Sequence, residues 1–229
     1  MTQSENTVLA IVHQETSDPG RIGQLLQHKG YRVQRLCPAL GESLPENVAD
    51  YRGVVVFGGP MSANDEHLPF IRAELDWMGR VIASDTPLLG ICLGAQLLAR
   101  VLGAEVFSHP EGQTEIGYYP IEGVTEEFQM PDWVYQWHQE GFELPRDTVQ
   151  LARGETFVNQ AFRYETKTYG IQFHPEVTEQ IVDRWTTVGA EMLALPGAQP
   201  RHEQQEKYSR HQKEGEQWLS GFLENWLEG

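Results

Sequence analysis

The strongest constraint on how this chain folds is a rhythm in its first half, where short unbroken apolar runs alternate with stretches of helical spacing. VLAIV (Val8 to Val12), YRVQRL from Tyr31, VVVF (Val54 to Phe57) and LLGI (Leu88 to Ile91) read as strands. Between and after them, Arg21 to His28, Phe70 to Ala83 and Ala95 to Leu102 carry apolar residues at helical intervals. A strand that is apolar at every position must be buried on both faces, which requires a parallel sheet with helices above and below. In such a sheet, ligands meet the chain at the C-terminal ends of the strands.

From Glu105 to Arg163 the pattern shortens into EVFSHP, IGYYPI, WVYQWH and VQLARG, broken by Gly and Pro. These pieces predict antiparallel additions at one edge of the sheet. TYGIQF (Thr168 to Phe173) resumes a buried strand, and Thr178 opens a further helix. After LPGAQP the chain is polar until Trp218, Leu219, Phe222, Leu223, Trp226 and Leu227 mark one broad apolar face of a helix. That face is read as a cap on the protein's own core, with a docking surface for a second copy, a homodimer, as the alternative. The expected organisation is an α/β, doubly wound, mainly parallel sheet over residues 1–195 and a C-terminal helical extension over 196–229. A length of 229 residues with 40% hydrophobic side chains suits one such core with a modest addition.

Charge narrows the function. Seventeen Lys and Arg face 33 Asp and Glu, for a formal charge of −16 and no basic run. Phosphate neutralisation needs clustered cations, so neither a nucleic-acid partner nor an anionic membrane surface is expected. The N-terminal MTQSENTVLAIVHQ lacks a basic start and a small-residue cleavage site, and no apolar stretch is long enough to span a bilayer. A cytoplasmic location is therefore expected, where Cys37 and Cys92 stay as thiols.

Of those two thiols, Cys92 has the setting of a nucleophile. Gly90-Ile91-Cys92-Leu93-Gly94 lies between a buried strand and a helix. A sharp strand-to-helix turn needs neighbours without side chains, the helix directs its positive end at the sulfur, and the Leu93 amide faces a developing oxyanion. Cys37, in RLCPAL, has no flanking glycines and reads as structural. A nucleophilic thiol needs a base, and Gln172-Phe173-His174-Pro175-Glu176 ends another buried strand. His174 is placed to exchange a proton with Cys92, and Glu176 to accept the other imidazole N–H. Phe57-Gly58-Gly59-Pro60 ends the third strand at the same sheet edge, where Gly58 permits close approach of a ligand and Gly59 offers a second oxyanion donor. The eight histidines are dispersed and neither HExxH nor a phosphate loop occurs, so no metal and no cofactor are expected.

The ordered set GGP, GICLGAQ and QFHPE resembles the class I, triad-type glutamine amidotransferases, over nearly the whole span from Val8 to about Leu195. Within that family it is most similar to the glutaminase domain of GMP synthase and its stand-alone relatives. The resemblance implies a flavodoxin-like core, with Cys92 attacking the glutamine side-chain amide, His174 shuttling the proton and Glu176 orienting it. It also implies an oxyanion hole from the amides of Gly59 and Leu93, and substrate contacts from Gln96 and from Trp137-His138, where Gln139 and Glu140 stand in place of the family's commoner Gly and Asp. Glu115-Ile116-Gly117 and Asn159 to Arg163 also resemble family positions near the pocket, but read as strand edges.

The chain has no room for a synthetase domain, so an ammonia acceptor is expected on a separate protein. Glutamine hydrolysis through a γ-glutamyl thioester on Cys92 is the expected activity. A partner-independent γ-glutamyl peptide hydrolase and a non-catalytic glutamine-binding module are the alternatives.

Overall fold

A computed structural model describes residues 6–125 and 128–228. The first five residues, where no leader was expected, and Gly229 lie outside the described residues. In chain order the elements begin with β1 (Thr7–Ile11), α1 (Gly20–His28), β2 (Arg32–Leu36), β3 (Gly53–Val56), α2 (Pro69–Ala83), β4 (Leu88–Ile91) and α3 (Leu93–Val101). Short strands follow: β5 (Val106–Ser108), β6 (Glu115–Pro120), β7 (Glu122–Gly123), β8 (Trp133–His138), β9 (Glu140–Phe142), β10 (Thr148–Arg153) and β11 (Asn159–Tyr164). The chain closes with β12 (Thr168–Ile171), α4 (Glu179–Val188) and α5 (Arg201–Glu228).

The main sheet runs in the order β2-β1-β3-β4-β12-β11-β10-β7. Its first five members are parallel, which is the flavodoxin-like arrangement. The order reverses between β1 and β3, so the loops leaving these two strands diverge and open a crevice at their C-terminal ends. Both faces of the sheet are covered, as the unbroken apolar strands require. Val8, Ala10 and Val12 face α1 and α5, whereas Leu9 and Ile11 face α2 and α3. β2 is the edge strand, and its charged residues are correspondingly exposed or half-buried.

One expectation is corrected. The antiparallel strands do not all extend one sheet edge: β11, β10 and β7 do, but β5 pairs with β9 and β6 with β8 in two separate ribbons. The aromatic side chains of β6 and β8 explain the separation. Tyr118 and Tyr135 pack with Val182 of α4 and Tyr208 of α5 in a small core of their own.

The apolar face of the C-terminal helix packs as the cap on the chain's own core that the sequence leads one to expect. Leu219, Phe222, Leu223, Trp226 and Leu227 are each at most 4% exposed, packed on the chain's own sheet, so this face is not free for a second copy. The segment leading into α5 is itself tied to β6: Gln199 donates its N–H to Ile116 O at 2.9 Å and its side-chain amide bonds both backbone groups of Tyr118. Further along, the Arg21 guanidinium donates to Tyr208 Oη and to Glu216 Oε2, each at 2.9 Å, clamping α1 to α5. Among the described residues, no helix is long and apolar enough to cross a membrane.

Candidate active site

β4 and β12 are adjacent parallel strands, with Ile91 opposite Ile171. Each therefore delivers the residues that follow it to the same edge. At the end of β4 the chain turns directly into α3, which begins at Leu93 rather than at Ala95, because Cys92 itself is the N-cap. Its backbone sits at φ 50°, ψ −106°, a strained conformation for a residue with a side chain. The flanking glycines are sterically required. A Cβ at Gly90 would lie 2.5 Å from Gly94 O, and one at Gly94 would lie 2.0 Å from Val56 O. The Leu93 N–H, in the first turn of α3, has no intrahelical acceptor.

His174 arrives from the far side of β12, its N–H held by Tyr135 O of β8 at 2.8 Å. Its Nδ1 bonds Glu176 Oε1 at 2.8 Å, and both side chains are 4% exposed. The other ring nitrogen, Nε2, is buried with no hydrogen-bond partner among the described residues, while Cys92 acts on the ring together with Glu176. Burial alone would depress the imidazole, but the Glu176 carboxylate and the Cys92 sulfur outweigh it and push His174 up to about 10. The indole of Trp185 closes the side of the ring, edge-on at 4.8 Å between centroids.

Gly58 and Gly59, just beyond β3, line the same cluster. A Cβ at Gly58 would come within 2.8 Å of His174 Cε1 and 3.5 Å of Cys92 Cβ, so one glycine touches both reactive side chains. A Cβ at Gly59 would meet Leu93 Cδ2 at 2.9 Å, so the Gly59 backbone packs against the Leu93 side chain. Cys92 is 6% exposed, so the thiol is largely shielded from solvent.

A profile of the class-I glutamine amidotransferase family matches residues 23–184. This chain belongs to that family.

As an amidotransferase it is 33% identical over 186 residues to the glutamine amidotransferase-like protein YfeJ of Salmonella typhimurium, covering 76% of this chain and 77% of that one. It is 33% identical over 158 residues to one chain of the glutamine-hydrolyzing GMP synthase of Methanopyrus kandleri, covering 65% and 76%. A crystal structure of a Thermotoga maritima glutamine amidotransferase superposes with a TM-score of 0.89 at 33% identity, over 98% of this chain and 99% of that one.

Two of the expected substrate-contacting residues, Gln96 and His138, meet at the backbone carbonyl of Glu140. Gln96, 3% exposed on α3, donates its side-chain amide to Glu140 O at 2.8 Å and to Gln172 Oε1 at 3.2 Å. His138 has both ring nitrogens engaged, Nδ1 with Glu140 O at 2.9 Å and Nε2 with Glu115 Oε2 at 3.0 Å. Its side chain braces the β8–β9 turn, and only its backbone is left for other contacts. Trp137 is half-buried, near Tyr135 and edge-on to Trp185.

Sequence reading missed several buried polar residues here. Glu115 and Gln160, read as strand-edge residues, are both buried, and Gln160 Nε2 bonds Glu115 Oε2 at 2.9 Å. His13 and Glu74 drew no attention in the sequence, yet they form a third buried histidine–carboxylate pair among the described residues, beside Gly58. The available signal was positional: His13 directly follows a fully apolar strand next to the sheet's reversal point.

Proposed function

We propose that the protein hydrolyses the side-chain amide of glutamine through a γ-glutamyl thioester on Cys92 and supplies the ammonia to an acceptor on a separate protein. The observation that carries this reading is the pairing of a strained thiol with an imidazole whose far nitrogen is fixed by Glu176. The proton given up by the Cys92 thiol resides on His174 Nε2, in accord with the raised imidazole, and the sulfur electron pair forms a bond to the amide carbon. The carbonyl oxygen becomes an oxyanion facing the N–H groups of Gly59 and Leu93. The C–N bond then breaks as His174 returns the proton to the leaving nitrogen, releasing ammonia. Water, deprotonated by His174, attacks the thioester; the C–S bond breaks, glutamate leaves and the thiol regains its proton.

In this reading Gln96, Gly58 and the backbone of Trp137-His138 hold the amino-acid end of the substrate. Glu176 acts through His174, holding Nδ1–H and supporting the imidazolium, so that Nε2 carries the proton delivered to the leaving nitrogen. The Methanopyrus relative is by its name one component of a glutamine-hydrolyzing GMP synthase, which supports an arrangement in which the acceptor chemistry belongs to another polypeptide.

The test is to incubate the protein with glutamine, with and without a candidate synthetase, and to measure glutamate and ammonia. Equal amounts of both from the unaltered protein, and neither from Cys92→Ala, are expected. Rapid turnover of γ-glutamyl peptides with free glutamine left intact would transfer the activity to the peptide-hydrolase class. Turnover retained in Cys92→Ala would overturn the mechanism.

A further inference from the structure

Outside the Cys92–His174–Glu176 set, a fully buried ion pair lies directly beside Gly58: His13 and Glu74. His13 lies just past β1, and Glu74 projects from α2. Both side chains are fully buried, with His13 Nε2 2.9 Å from Glu74 Oε2. His13 Nδ1 lies 3.0 Å from the carbonyl oxygen of Gly58. Glu74 Oε1 has no hydrogen-bond partner among the described residues. Such a pair is costly compared with apolar side chains of the same volume, and it sits where the apolar contacts of β1, β3 and α2 would readily admit Leu or Met. Stability therefore does not explain it.

Its geometry does. A carbonyl oxygen only accepts, so the hydrogen shared with Gly58 must reside on His13 Nδ1. Burial acts to lower the His13 pKa, but Glu74 and the Gly58 carbonyl outweigh it and leave it raised, in accord with that proton being held. The peptide joining Gly58 to Gly59 is trans, like every peptide described, so its C=O and N–H point in opposite directions. Fixing the carbonyl on His13 therefore aims the Gly59 N–H away from His13, and that N–H donates to no backbone acceptor among the described residues.

The anchor answers a problem set by the sequence. Both glycines are sterically obligatory: a Cβ at Gly58 would strike His174 Cε1 at 2.8 Å, and one at Gly59 would strike His13 Cβ at 2.7 Å. Two successive glycines leave the plane of the peptide between them free to rotate. Without a latch, the oxyanion donor would spend time pointing the wrong way.

We infer that the His13–Glu74 pair is a positioning device for the oxyanion hole, with His13 Nδ1–H holding the Gly58 carbonyl so that the Gly59 N–H faces the reaction centre. Glu74 acts through His13, fixing the ring by its Nε2. The inference rests on the glutaminase reading of Cys92 and of the Gly59 amide.

The test uses the full chain and a pair of double variants, His13→Leu with Glu74→Met, and His13→Asn with Glu74→Met. The first removes both buried polar partners, so neither is stranded; the second restores only a donor at the place of Nδ1. The Leu/Met variant is expected to lose about 10²-fold in kcat for glutamine hydrolysis, the scale of one oxyanion donor, with little change in KM. Alkylation of Cys92 by iodoacetamide, a displacement that builds no oxyanion, is expected to keep its wild-type rate, and the Asn/Met variant to recover most of kcat.

A Leu/Met variant with wild-type kcat, or one whose alkylation rate falls in step with kcat, would overturn the inference. Should that variant not fold, His13→Asn against His13→Gln repeats the comparison, since only Asn places its amide donor at the position of Nδ1. The amide resonance of Gly59 in nitrogen-15-labelled protein separates this inference from the reading beneath it. A Gly59 shift in the Leu/Met variant, with Leu93 unmoved, supports the latch even if the wild type leaves glutamine intact, which would count against the glutaminase reading alone. An unshifted Gly59 in an active wild-type background overturns the latch alone.

Discussion

Cys92 donates its backbone N–H to the carbonyl oxygen of Ile171 at 2.9 Å. This single bond joins the nucleophile's turn to the strand that carries His174, so the thiol and the imidazole are set by the same sheet edge. Register does the work: Ile91 opposite Ile171 leaves Cys92 and His174 each just past a strand end, on neighbouring strands. Cys92 itself sits at a strained φ of 50°, and Gly58 lies against both its Cβ and the His174 ring.

That strain predicts opposite effects on stability and activity. Cys92→Gly relieves a backbone conformation costing about 1–3 kcal/mol, whereas Cys92→Ala keeps it. Both variants should be inactive. In urea unfolding, Cys92→Gly should be the more stable of the two; the reverse order would mean that the elbow relaxes when the sulfur is removed.

Replacing Gly94 by Ala should damage fold and function together. The added methyl would sit 2.0 Å from Val56 O, a backbone atom held in the sheet, so α3 must move away from β3. A loss of about 1–3 kcal/mol is expected from such overpacking. A thermal melt equal to that of the unaltered protein would show that the helix gives way without cost.

Glu176→Gln should reveal itself through pH. The native His174 holds its proton up to about 10 against an ordinary value of 6.5, so between those limits the native state binds more protons than the unfolded chain. The sign follows: this contribution is complete below about 6.5 and is lost as pH rises through about 10. With Gln at position 176 the raising carboxylate is gone, so the fall in urea midpoint should still start near 6.5 but end at a lower pH and be smaller in total. Glutamine turnover should drop with it, by about 10²–10⁴-fold for an impaired general base.

Trp226→Ala tests the C-terminal helix. Its indole is 2% exposed and packs close to Gly53 of β3, where a Cβ would meet the ring at 3.0 Å. The cost should be about 3–5 kcal/mol, as for a large aromatic removed from a core. The expected readout is a lowered denaturant midpoint. A variant as stable as the parent protein would place the aromatic face outside the core.

The parallel strands were legible in the sequence because their signal is local. Val54 to Phe57 and Leu88 to Ile91 are apolar at every position, which only a doubly covered strand satisfies. The turn at Cys92 was equally legible, since its glycines answer a steric demand within five residues of chain. The candidate site was readable to the extent that Cys92, His174, Glu176 and the two glycines each end such a strand. The start of α3 was misplaced by two residues, because nothing local marks a cysteine as an N-cap.

Other features depend on partners distant in sequence. That β6 and β8 form their own ribbon follows from Tyr118 and Tyr135 finding α4 and α5. Whether the face of Trp218 to Leu227 met the chain's own sheet or a second copy was decided by where the segment after Leu195 was tied down, on β6 through Gln199. His13 and Glu74 are ordinary residues in their own neighbourhoods and become a pair only when α2 lies across β1. The sequence thus determined the strands, the bend and the chemistry available at their ends, because those obey short-range sterics and hydrophobic periodicity. The tertiary structure alone decided which buried polar groups pair, because a hydrogen bond in a dry interior depends on atoms meeting within about 3 Å, and no pattern in one segment encodes the position of another.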